Sequence, residues 1–374
     1  MTKPNDYQIC TRCVMDTTDP EITFDEKGQC NHCRDAEIKL SKAWLPDERG
    51  AQKLKAIATE IKANQGDKEY DSIIGVSGGV DSSYLLHVAK VEMGLNPLVV
   101  HVDAGWNSEI AVSNIEKMVK QLGLDLFTYV VDWEEMKDLQ LAYLKSSLAN
   151  QDVPQDHSFF AKLYEFADKN AIKYAITGSN LTSESILPNA WGYDASDSIQ
   201  IKAVHKKYGK RKLKSYPLMS FFSYKIFWPY FKKMVRVAPL NYMDYNKNKA
   251  IQFLQDEYGW VYYGGKHHES KWTKFFQAYY LPVKFGYDKR KAHLSSLIVS
   301  GQVTREAALR ELEQPLYNDQ ELEEDKRFIA KKLGLELREF NALLELPNKD
   351  YSDYPNQEKI LKAFRLLKSR ISSK

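Results

Sequence analysis

Residues 71–92 restrict the fold of this chain most tightly. A short β-rich run, DSIIGVS (71–77), meets a helical one, SSYLLHVAKVE (82–92), across Gly78, Gly79, Val80 and Asp81. An apolar strand of this kind is covered on both faces, the situation of a strand inside a layered α/β sheet. Gly78 and Gly79 allow backbone conformations that a side chain would forbid and a close approach to a ligand. Free N–H groups and the helix dipole at the start of the following helix make an anion site. The hydroxyls of Ser77, Ser82 and Ser83 add donors, and Asp81 can cap the helix or hold Mg²⁺. The loop is not a Walker A motif: no G-x4-G-K-[ST] occurs, and GWVYYGGKH (259–267) misses it by one residue.

The same alternation continues downstream. LVVHVD (98–103), LFTYVV (126–131) and KYAIT (173–177) read as strands. Between the first two of these, Ile110, Ala111, Ile115, Met118, Val119 and Leu122 form one apolar helical stripe. Helical segments are expected around 136–149 and 158–170, and one or two connecting helices over 34–70, punctuated by Pro46 and Gly50. The expected fold is therefore α/β, a doubly wound parallel sheet. Ligands bind such sheets at the carboxyl ends of their strands. That rule picks out His101 and Asp103 in HVDAGWNSE (101–109), and Thr177, Gly178, Ser179, Asn180 and Glu184 in TGSNLTSE (177–184). Turn and cap chemistry is the plainer reading of either stretch. Beyond residue 200 the pattern loosens. A lysine-rich run, IKAVHKKYGKRKLKS, reads as a solvated loop, with phosphate contact as the alternative. An aromatic segment at 258–287 reads as core packing, and helix-like stretches follow at 302–314, 319–346 and 356–371.

All four cysteines lie near the start: Cys10 and Cys13, then Cys30 and Cys33, each pair spaced C-x2-C. That spacing fits a closed, structural Zn²⁺ site, with Gly28 suited to the tight turn before the second pair. Two disulfides are the alternative, but the opening MTKPNDYQIC lacks the pattern of a secretion signal. An iron–sulfur cluster is a further alternative, and His32 is read as a bystander. A glutaminase normally employs a cysteine nucleophile, and none occurs after position 33. Ammonia taken from glutamine would then come from another chain. A net charge of +3 argues against a nucleic-acid partner, and no apolar run is long enough to span a membrane. The chain is read as cytoplasmic.

Ser77-Gly78-Gly79-Val80-Asp81-Ser82 resembles the SGGxDS signature of the PP-loop ATP pyrophosphatases, which include GMP synthetase, NAD synthetase and tRNA-modifying thiolases. The resemblance implies cleavage of ATP between its α- and β-phosphates. Val76 to Gly79, Asp81, Ser82, Ser83, His101, Asp103 and the 177–180 segment would hold ATP and pyrophosphate. Ser77, Asp81 and Ser82 would act in catalysis, and Asp81 and Glu184 would bind Mg²⁺. With the cysteine knuckle CVMDTTDPEITFDEKGQCNHC and the late stretch GWVYYGGKHHESKWTKFFQAYYLPVKFGYDKRKAHLSSLIVSGQVTREAAL, the chain resembles the N-acetyl sugar amidotransferases of bacterial surface-polysaccharide and nonulosonic-acid pathways. That implies a knuckle over 1–45, a PP-loop domain over 46–235 and a mainly helical C-terminal region over 236–374. It also implies an acetamido sugar substrate, UDP-linked or nonulosonic. The ammonia would come from a glutaminase and a cyclase-like conduit resembling imidazole glycerol phosphate synthase. Lys202, Lys266, Lys271, Lys274 and Arg290 are the candidate substrate cations. The rival readings are a zinc-containing tRNA thiolase, weakened by the missing cysteines near the loop, and another AMP-forming ammonia ligase.

Overall fold

The computed structural model describes residues 7–192, 194–265 and 269–372. The connecting stretch folds as two helices, α1 (Asn31–Ala43) and α2 (Glu48–Ala63). They part at Pro46, and Asp47 caps the second by accepting from the Arg49 amide at 3.0 Å. The α/β unit then runs β1 (Ser72–Val76), α3 (Val80–His87), β2 (Pro97–Asp103), α4 (Glu109–Leu122), β3 (Leu126–Val130), α5 (Trp133–Ser146), α6 (Val153–Lys169), β4 (Tyr174–Ile176), α7 (Leu181–Glu184), α8 (Ser198–Tyr208) and β5 (Val235–Val237). Further helices follow: α9 (Lys247–Tyr258), α10 (Lys271–Phe275), α11 (Leu281–Phe285), α12 (Lys289–Val299), α13 (Arg305–Leu312), α14 (Asp319–Leu333), α15 (Leu337–Leu344) and α16 (Glu358–Ser372).

The five strands pair in parallel in the order β3-β2-β1-β4-β5, with β1 at the centre. Successive residues of β1 face opposite layers, as strand geometry requires. Ile74 and Val76 pack under α3, α4 and α9 with Leu85, Met118 and Leu254. Ile73 packs on the other side with Met136, Leu139 and Phe166 of α5 and α6, and with Ile201 of α8. The sheet is thus doubly wound. A third cluster gathers Trp272, Phe275, Phe276, Phe340 and Leu333 around Trp106, which sits in the loop after β2. The aromatics expected to pack in a core do so: Trp260, Trp272, Phe275 and Tyr280 are fully buried. Among the described residues, no helix is long and apolar enough to cross a membrane.

Two expectations change. The first half of the lysine-rich run is helix α8, started by Asp197, whose carboxylate accepts from the Ile199 and Gln200 amides at 2.9 and 3.1 Å. The loop that follows is tied down by its backbone: the amides of Lys210 and Arg211 donate to Asp138, and those of Lys214, Ser215 and Tyr216 to Glu135. On α4 the stripe is shifted. Ile110 is exposed, and Asn114 is buried in its place. The Asn114 carboxamide exchanges two 2.8 Å hydrogen bonds with the backbone of Val261, so burial there costs no unmatched polar group.

Candidate active site at the glycine-rich loop

Residues 77–79 leave the carboxyl end of the central strand and turn into α3. Gly78 takes φ +80°, and a Cβ there would lie 2.4 Å from the carbonyl oxygen of Ala111 on α4. Only glycine fits. Gly79 starts α3 with no side chain capping it. Of the first amides, that of Val80 meets the Tyr263 hydroxyl at 3.2 Å, while the Gly79 amide is 3.3 Å from Ser77 Oγ. Ser77 and Ser82 place their hydroxyls 3.4 Å apart across the turn. Ser83 is buried and accepts from the Trp260 indole at 3.1 Å, so it braces the loop from behind.

The second segment lies against the first. At Gly178 a Cβ would lie 3.2 Å from the Asp81 backbone. Asn180 donates to Asp81 Oδ1 at 3.4 Å and caps α7, accepting from the Ser183 amide at 3.0 Å. Thr177 and Ser179 share a 2.9 Å hydroxyl contact at the surface of the turn. Asp81 Oδ1 also accepts from the Tyr245 hydroxyl. Burial raises the Tyr245 phenol well above its usual range, and the charges of Asp81 and then Glu184 add to the effect. The two carboxylates expected to share a cation thus bear on one phenol. Glu184 is exposed and lines a cavity of about 660 Å³ together with Asn246, Gln302, Lys289 and His293.

His101 and Asp103 shape the loop after β2. The His101 ring is buried and donates from Nδ1 to the Val76 carbonyl at 3.0 Å, leaving Nε2 to accept from Asn107 at 3.0 Å. Asp103 accepts from the Gly105 amide at 2.7 Å and from Asn107 at 3.2 Å. The candidate substrate cations scatter. Lys202 is exposed on α8. Lys271 lies 3.7 Å from Asp325, and Lys274, on the cavity wall, pairs with Glu321 and, at 3.5 Å, with Asp325. Arg290 also borders the cavity, but its guanidinium clasps Asp288 and the carbonyls of Glu311 and Gln314. Lys266, with His267 and His268, lies outside the described residues.

Sequence reasoning missed three contributors near the loop. Tyr245 and Tyr263 are given no role by the sequence, although Tyr263 lies in the GWVYYGGKH stretch, and only their folding back onto α3 reveals them. Asp152, at the start of α6, is buried beside Gln155 and Thr273, which donate to it at 3.0 and 3.1 Å. Burial raises its carboxyl to about 8, with the Asp156 charge adding and Lys289 opposing. Gln155 reaches Ser270 at 3.4 Å, and the neighbouring Glu269 would sit 3.1 Å from a Cβ on Gly79.

The cysteine knuckle is a separate, closed site. All four sulfurs are buried and mutually within 4.8 Å, the one cluster of three or more metal-ligating side chains among the described residues. Cys10 and Cys33 are 3.9 Å apart and Cys13 and Cys30 3.7 Å. A tetrahedron with ~2.3 Å metal–sulfur bonds has edges of about 3.8 Å, whereas a disulfide is about 2.05 Å long. The cysteines are therefore unbridged and compatible with a structural Zn²⁺. Amides of Arg12, Cys13 and Cys30 point at Cys10 Sγ at 3.2–3.4 Å, which suits a thiolate. His32 turns to Asp19 at 2.5 Å, away from the sulfurs. Arg305 on α13 donates to the carbonyls of Cys10 and Cys13, and Lys291 on α12 pairs with buried Asp16, so the knuckle is clamped to the C-terminal helices.

A glycine-rich SGGVDS turn on the central strand of a doubly wound parallel sheet defines a PP-loop α/β protein. Its C-terminal part is more specific: residues 269–368 match the family described as LPS biosynthesis protein WbpG-like, C-terminal domain. Among solved structures, the chain is similar to the NH3-dependent NAD synthetase of Campylobacter jejuni, at 14% identity over 72% of this chain and 99% of that one, with a TM-score of 0.33. It is also similar to the NMN synthetase of Francisella tularensis, at 14% identity over 56% and 86%, with a TM-score of 0.30. An uncharacterised protein of Methanocaldococcus jannaschii, MJ1599, is 27% identical over 128 residues, 34% of this chain and 44% of that protein. The chain thus spans less than half the length of that curated relative.

Proposed function

We propose that this chain is an ATP-dependent sugar amidotransferase that converts an acetamido group to an acetamidino group. The observation that carries the reading is the join between the SGGVDS loop and a WbpG-like C-terminal domain, whose residues line a cavity that Glu184 also borders. An amide is a poor electrophile with a poor leaving group. Its carbonyl oxygen attacks the α-phosphorus of ATP, pyrophosphate leaves, and the resulting O-adenylyl imidate has AMP as a leaving group. Ammonia adds to the imidate carbon, the C–O bond breaks, and AMP departs with the former amide oxygen. The product amidine retains the sugar's nitrogen and gains the second from ammonia.

In this reading Ser77, Ser82 and the amides opening α3 receive the pyrophosphate, and Gly78 and Gly79 permit its approach. The 177–180 turn faces the nucleotide from the other side, and His101 and Asp103 position the β2 loop. Asp81 and Glu184 would hold Mg²⁺, which would neutralise phosphate charge. The acetamido sugar, UDP-linked or nonulosonic, occupies the 660 Å³ cavity, where carboxamides of Asn246 and Gln302 and cations such as Lys289 suit a polyhydroxylated anion. A separate glutaminase with a cyclase-like conduit supplies the ammonia. The four cysteines all sit in the knuckle, which speaks against sulfur transfer at the loop.

The test incubates the chain with ATP, Mg²⁺, excess ammonium and a panel of UDP-diacetamido sugars and nonulosonic acids. AMP release that requires one sugar, with that sugar's mass shifted by replacement of O with NH, is the expected result. Asp81→Asn should cut turnover by about 10²-fold or more while the melting temperature stays close to wild type. AMP release that no sugar stimulates would refute the amidotransferase; unchanged turnover in Asp81→Asn would refute the loop's role.

A further inference from the structure

One surface lies outside both sites. Residues 220–237, SFFSYKIFWPYFKKMVRV, contain ten large apolar or aromatic side chains from Phe221 to Val235 that would ordinarily seek a core. Ser223–Phe231 forms a π-helical segment in which no residue is buried. Phe222, Tyr230 and Phe231 are 55%, 54% and 69% exposed, whereas Trp106, Trp191, Trp260 and Trp272 elsewhere are almost completely buried. Aromatic rings this open, clustered on one element, mark a contact surface.

The charge around them is one-sided. Residues 220–237 carry Lys225, Lys232, Lys233 and Arg236 and no acid, and after Glu358, which opens α16, residues 359–374 carry six cations and no acid. Those ten cations belong to a chain with 53 in all against 50 acids, so the other 43 leave the remainder at −7. The two segments are neighbours, since Phe221 meets Phe364 of α16 edge-on at 6.1 Å. In the α16 sequence Ile360, Phe364, Leu367 and Ile371 recur at i, i+4, i+7 and i+11 with cations between them, the pattern of a basic amphipathic helix.

We propose that this face, the 221–236 segment together with α16, docks the protein on an anionic lipid surface. Trp, Tyr and Phe favour the boundary between headgroups and acyl chains, and Lys and Arg stems reach past them to phosphates. Protein interfaces share the aromatics but are depleted in Lys, which here is interleaved with them. Lys232, Lys225 and, on α16, Lys362 pair with Asp168, Asp194 and Glu358 at 2.6, 3.6 and 2.7 Å, so Lys233 and Arg236 carry the surplus positive charge of the 220–237 segment.

Co-sedimentation of the full chain with vesicles tests this. Vesicles of phosphatidylcholine with about 30% phosphatidylglycerol should pellet the protein about tenfold more than pure phosphatidylcholine, and high salt should weaken the effect. The exposed-site variants Phe222→Ser/Phe231→Ser and Lys233→Glu/Arg236→Glu should each lose most of that pelleting while ATP turnover and melting temperature stay unchanged. Wild-type protein that ignores anionic vesicles, or variants that pellet as wild type does, would overturn the proposal. So would a wild-type oligomer that Phe222→Ser/Phe231→Ser dissociates without any vesicle binding, since the face would then be a protein contact.

Discussion

The cysteine knuckle and the glycine-rich loop are both made of tight turns, yet they dispose of their polar groups in opposite ways. In the knuckle every sulfur is buried, amides point inward at Cys10, and Arg305 and Lys291 seal it against α13 and α12. At the loop, Gly79 offers no cap, the Ser77 and Ser82 hydroxyls face each other across an open turn, and Glu184 is exposed beside a cavity. A closed ligand set leaves no position for a reactant and contributes to folding alone, while an open one binds what comes from solution. On the proposed function, the contrast gives stability to one region and chemistry to the other.

The comparison breaks first at the knuckle. Cys13→Ser, or a strong chelator, should remove the metal and unfold the knuckle, because binding free energy of a structural zinc is folding free energy, ~10 kcal/mol or more in small domains. Metal content by atomic absorption and the thermal transition report it, and a folded, metal-free protein with full activity would erase the distinction. Gly78→Ala is the next largest effect. The new methyl meets the Ala111 carbonyl at a backbone conformation alanine resists, so α3 and α4 must separate. A loss of about 3–5 kcal/mol in urea unfolding is expected, together with lost ATP binding. An unharmed variant would mean the loop is not packed as tightly as its φ requires.

What the sequence made legible follows the same division. Local patterns spoke clearly: the C-x2-C pairs, the SGGVDS turn and the apolar strands β1 to β4 all sit where spacing and periodicity put them. Groups that depend on distant chain segments did not. Strand β5 is three residues long and takes its place only by pairing with β4. Ile110 and Asn114 exchanged places on α4 because the Val261 backbone supplies the asparagine's partners 147 residues away. Lys274 and Arg290 were candidate substrate cations, but Glu321 and Asp288 engage them. Tyr245 at Asp81 had no local signal at all.

Two buried aspartates sharpen the contrast at the smallest scale. Burial alone would raise Asp16 in the knuckle, but hydrogen bonds from Lys291, Thr18 and Tyr7 outweigh it and hold the carboxyl below its usual range. Its contribution to stability is present above the unfolded-state value and is lost as pH falls through the lowered one. Asp152, near the loop, is raised by burial to about 8. The folded chain therefore keeps a proton that the unfolded chain releases, and stability falls as pH rises from about 4 toward 8. Asp152→Asn removes that slope while keeping an acceptor for Gln155 and Thr273. Relative to wild type, its unfolding free energy should improve by roughly 3 kcal/mol between about pH 5 and pH 7.5. Asp16→Asn should do the reverse, costing stability at neutral pH and little in strong acid. Parallel pH profiles for wild type and Asp152→Asn would show that the loop's surroundings hold no such proton, and that both regions satisfy their charges equally well.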